Sequence, residues 1–77
     1  MTPATEELKQ QFDNAMASYI AQIRVRKDAL EKAMASGHRD DLQNYTQQTQ
    51  REVQLRAQYE ERATGLMQRL AEMPRQA

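Results

Sequence analysis

Between Pro3 and Gly65 the chain has one glycine and no proline, and that glycine, Gly37, stands near the midpoint of 77 residues. Glycine adopts the left-handed backbone that ends a helix without the steric cost other residues meet. The residues on either side of it favour helix. The chain therefore predicts two helices of nearly equal length, about 3–36 and about 40–73, joined by a turn at 37–39. So short a turn makes the helices antiparallel neighbours. The expected fold class is all-α, a two-helix antiparallel hairpin forming one domain over residues 1–77.

The ends carry supporting signals. Thr2 suits a cap, and Pro3 suits the first helical position, where its missing N–H costs nothing. Glu6 and Glu7 complement the positive end of the helix dipole. In the turn Ser36-Gly37-His38-Arg39, Gly37 ends the first helix, and Asp40 with Gln43 three residues on reads as a capping box for the second. Gly65 weakens the second helix, and Met73-Pro74 closes it.

Apolar residues recur at helical spacing. In the first helix they are Leu8, Phe12, Ala15, Met16, Tyr19, Ile20, Ile23, Leu30, Ala33 and Met34, a stripe roughly 140° wide at about 100° per residue. The second helix carries Leu42, Tyr45, Val53, Tyr59, Ala63, Leu66, Met67, Leu70 and Met73, with Thr49, Glu52 and Arg56 where a stable coiled coil would place Leu or Ile. Gln stands at 43, 47, 48, 50, 54 and 58. A hairpin pivoting near His38 pairs Leu8 with Leu70, Phe12 with Leu66, Tyr19 with Tyr59 and Ile23 with Val53. Arg24 and Arg26 come within reach of Glu52.

The apolar supply is thin. Leu, Ile, Val and Phe number eleven, and the large share of Ala buries little area. A core this small yields only about 3–5 kcal/mol, so added stability from a partner or from self-association is expected. Ile20, Val25, Leu55 and Met67 fall at or beyond the edges of the seam, where one hairpin leaves apolar surface wet.

Chemistry has little to work with. There is no cysteine, and one histidine, His38, stands in the turn, so no convergent metal-ligand set or nucleophile–base pair can be assembled. No enzyme activity and no cofactor are expected. Eleven basic residues balance eleven acidic ones, which removes the long-range field that draws a chain to nucleic acid. Arg24, Arg26 and Lys27 are the residues a nucleic-acid-binding bundle would use, but Asp28 and Glu31 follow them and no aromatic is interleaved. No run of apolar residues suits a membrane span or a secretory signal, and a cytoplasmic location is expected.

The order Glu31-Lys32-Ala33-Met34-Ala35-Ser36-Gly37, a short acidic turn, and the Gln-rich start Leu42-Gln43-Asn44-Tyr45-Thr46-Gln47-Gln48 resembles the small E-type co-chaperones of type III secretion needle subunits. That resemblance implies a helical hairpin that holds a second chaperone and, with it, keeps a needle subunit from polymerising in the cytoplasm. The expected function is protein–protein interaction: a chaperone-like hairpin contacting a partner helix through Ile20, Ile23, Val53, Leu55, Tyr59 and Met67. The structural alternative is a homodimeric four-helix bundle acting as an assembly or scaffold element.

Overall fold

In a computed structural model describing residues 3–73, the chain is an all-α hairpin. Helix α1 spans Pro3–Ser36 and helix α2 spans Arg39–Glu72. They pack side by side in a slab 61 Å long, 17 Å wide and 13 Å thick. Thr2 and Pro74 lie outside the described residues. Met73 is extended (φ −69°, ψ 137°), as expected of a residue preceding proline.

The reversal rests on Gly37, whose φ is +64°. Its N–H donates to the Ala33 carbonyl at 2.9 Å, closing the end of α1. The cap of α2 differs from the expected one. His38 occupies the N-cap in extended conformation, its carbonyl accepting from the Leu42 N–H at 3.1 Å. The Asp40–Gln43 capping box does not form, because the helix has already begun at Arg39. The carboxylate that ties the turn is Asp41: the Ser36 hydroxyl donates to its Oδ2 at 2.5 Å, and Lys32 Nζ lies 3.6 Å from its Oδ1. The Ser36 bond holds the Asp41 carboxyl below its ordinary pKa, and the Lys32 charge acts in the same direction.

The seam follows alternating steps of three and four, the heptad spacing of two helices that stay in contact along their length. On α1 it runs through Thr5, Leu8, Phe12, Ala15, Tyr19, Gln22, Arg26, Ala29 and Ala33, all buried or half-buried. On α2 it runs through Asp41, Tyr45, Gln48, Glu52, Leu55, Tyr59 and Leu66, all half-buried, with the exposed Arg62 at the position between the last two. One section of the seam is aromatic. Tyr59 lies between Phe12 and Tyr19, with ring centroids 5.4 and 5.8 Å apart.

The middle of the seam is polar. Gln22, only 6% exposed, donates through Nε2 to Gln48 Oε1 at 2.8 Å and to the Gln48 backbone carbonyl at 3.0 Å. Next to it Arg26 Nε meets Glu52 Oε1 at 2.9 Å. Two of the expected contacts form, Tyr19 on Tyr59 and Arg26 on Glu52, while others do not. Phe12 packs on Tyr59 rather than standing level with Leu66, and Val53 leaves the seam altogether, at 62% exposed. Of the three polar residues expected in the α2 seam, only Glu52 crosses to α1. Thr49 turns its hydroxyl to the Tyr45 carbonyl, and Arg56 is exposed, paired with Glu60 on its own helix.

Candidate protein-interaction surface

Each helix of the hairpin has two flanks besides its seam, and the antiparallel arrangement brings like flanks together. One broad face of the slab is polar. Gln11, Asn14, Ser18, Gln58 and Arg62 line a common open groove there, and Arg62 donates to Gln11 at 3.2 Å across it. Gln11 and Ser18 precede the seam residues Phe12 and Tyr19 by one position, which fixes that flank of α1 to this face.

The opposite face is therefore formed by the residues that follow seam positions and those four further on. At about 100° per residue this stripe lies roughly a quarter-turn from the seam. On α1 it reads Glu6, Lys9 and Asp13 at the end far from the turn, then Met16, Ile20, Ile23, Lys27, Leu30 and Met34. On α2 it reads Leu42, Thr46, Thr49, Val53, Arg56, Glu60, Ala63, Met67 and Leu70. The most exposed large apolar residues of the hairpin are Ile20, Val25, Met34, Leu42, Val53, Met67 and Leu70. All except Val25 stand on this one face.

The expected contact residues divide accordingly. Ile20, Val53 and Met67 are on the apolar face and exposed, while Ile23 is half-buried at its inner edge. Leu55 and Tyr59 belong to the seam instead, and Tyr59 is engaged by Phe12 and Tyr19. Sequence reasoning did not pick out Leu42 and Leu70 as contact surface, nor Gln22 and Ala29 as buried. The strict three–four series from Phe12 through Tyr19 was the signal that reaches Gln22, Arg26 and Ala29.

The basic cluster is dispersed. Arg26 is in the seam on Glu52, whereas Arg24 and Lys27 are exposed at different angles around α1. His38 is exposed in the turn. Among the described residues no group of three or more His, Asp or Glu is placed to hold a metal ion, and no helix is long and apolar enough to cross a membrane. Comparison with family models, curated proteins and solved structures returned no match.

Proposed function

We propose that this chain is a non-enzymatic protein–protein interaction module that works through the apolar face shared by α1 and α2. The observation that carries the reading is segregation: six of the seven most exposed large apolar side chains lie on one side of a two-helix slab, with a polar groove on the other. Single exposed apolar residues are ordinary, but a contiguous patch on one face marks an interface.

Surface area supports the same reading. The chain exposes 6256 Å², against about 4,900 Å² for a compact folded monomer of 9.0 kDa. Within the hairpin α2 has no buried residue, so contacts from outside add to a small internal core. Cover from a partner helix, the role the secretion co-chaperone resemblance implies, uses this face.

Met34 and Met67, 77% and 68% exposed in the isolated hairpin, report on cover directly. Mild peroxide should oxidise both rapidly in the purified chain at high dilution and slowly in cells that naturally make it. Equal oxidation rates in the two settings would remove the proposed role.

A further inference from the structure

We infer that the occupant of the apolar face is a second copy of this chain, docked face to face with its turn at the opposite end, giving an antiparallel four-helix bundle. This rests on the interaction reading above and narrows it to one partner. Two observations favour a second copy in this orientation.

The first is area. The face is 61 Å by 17 Å, about 1,000 Å² in projection, and a standard stable interface takes about 800 Å² from each partner. The exposed surface in excess of a compact monomer, about 1,400 Å², is ample for one such interface. A two-fold contact uses the same patch twice, so one self-complementary face suffices.

The second is charge. Lys27 and Asp13 both stand on the α1 part of this face. Among the described residues, neither makes an ion pair within one hairpin. A two-fold axis passing near Ile20 and Val53, perpendicular to the long axis, stacks α1 on its counterpart in the reverse direction. Lys27 of each copy then lies level with Asp13 of the other, and Leu42 lies level with Met67. Stacking with the turns at the same end instead sets Asp13 level with Glu60, a like charge that Arg56 already pairs, and gives Lys27 no acid. Opposite charges across the contact favour the first arrangement and oppose the second.

The chain has no cysteine, so single substitutions at exposed sites give a clean readout. Ile20→Cys and Val53→Cys stand near the proposed axis. Each should form a disulfide-linked dimer on its own under mild oxidation, since bridging needs Cα atoms within about 7 Å. Lys27→Cys should bridge only when mixed with Asp13→Cys. Sedimentation of the unmodified chain should show a concentration-dependent dimer. Lys27→Glu should weaken it about tenfold through two symmetric pairs, and adding Asp13→Lys should restore it.

Bridging between Ile20→Cys and Val53→Cys chains, with no self-bridging by either, would overturn the orientation. A monomer at every concentration would overturn the second copy. If Met34 and Met67 were still protected in cells, that monomer would leave the interaction reading standing with a different partner.

Discussion

Replacing Gln22 by Ala tests whether the polar layer is the element that holds the two helices together in their observed register. Gln22 donates two hydrogen bonds from one buried amide, at 2.8 and 3.0 Å, to the side chain and backbone of Gln48. Each such bond contributes about 0.5–1.5 kcal/mol net, so their joint loss should cost about 2 kcal/mol. For a domain of this size that lowers Tm by about 8–16 °C. Gln48→Ala is the built-in control. It removes the Oε1 acceptor and an exposed Nε2 bond to Asn44 Oδ1 at 3.2 Å but leaves the backbone carbonyl for Gln22, so it should cost about 0.5–1.5 kcal/mol, less than its partner. Thermal unfolding followed by far-ultraviolet circular dichroism, at one fixed protomer concentration, gives both numbers. Equal costs, or a larger cost for Gln48→Ala, would refute the assignment of the backbone bond and with it the reasoning that Gln22 anchors the register.

Four further outcomes follow from the turn, the second helix and the ion pair. Gly37→Ala should destabilise by about 1–2 kcal/mol on chemical denaturation, because φ is +64° while the space around an added Cβ is open, so the cost lies in the backbone alone. Gly65→Ala should stabilise by about 0.5–1 kcal/mol in the same assay, since that glycine is helical and an added methyl meets nothing within 4 Å. The folded-state pKa of Asp41 is lowered, so its contribution is present above the ordinary carboxylate range and is lost as pH falls through the lowered value; Ser36→Ala should flatten that part of the Tm-versus-pH curve. A double-mutant cycle on Arg26 and Glu52, side chains 24% and 19% exposed, should give a coupling of up to about 1 kcal/mol that shrinks in high salt.

Gly37 and the helix-permissive residues around it made the hairpin legible, because only one position offered a reversal. The cap of α2 was less legible. Asp40 is a better capping residue than His38, but a two-residue turn places His38 at the boundary and hands the side-chain contact to Asp41. The register was only partly legible for a related reason. The apolar stripe on each helix is wider than a two-helix seam can cover, and apolar pattern alone does not say which half turns inward. The pair that the apolar pattern passes over is polar, Gln22 with Gln48, whereas Arg26 with Glu52 formed as expected. That same choice sent Val53 outward and Leu55 inward, so the interaction surface was only half legible.

The polar layer and the apolar face sit at the same level of the hairpin, and this ties folding to association. Beside Gln22, Arg26 and Glu52 in the seam, the outer face carries Ile20, Ile23 and Val53. The hairpin is thus most polar inside where it is most apolar outside. A sequence optimised for a solitary hairpin would reverse the two, with leucine in the seam and glutamine on the flank. In the observed arrangement, any body laid over Ile20 and Val53 lies beside the Arg26–Glu52 pair and lowers the dielectric around it. Hydrogen bonds strengthen as the local dielectric falls, provided their partners are in place. Cover therefore favours the register that creates the face, and the register presents the face to be covered. Binding to the folded form alone then raises its stability with concentration of the covering partner. On this argument the stability of the Gln22–Gln48 layer should rise with whatever occupies the apolar face, and the two should be lost together when Ile20 and Val53 are made polar.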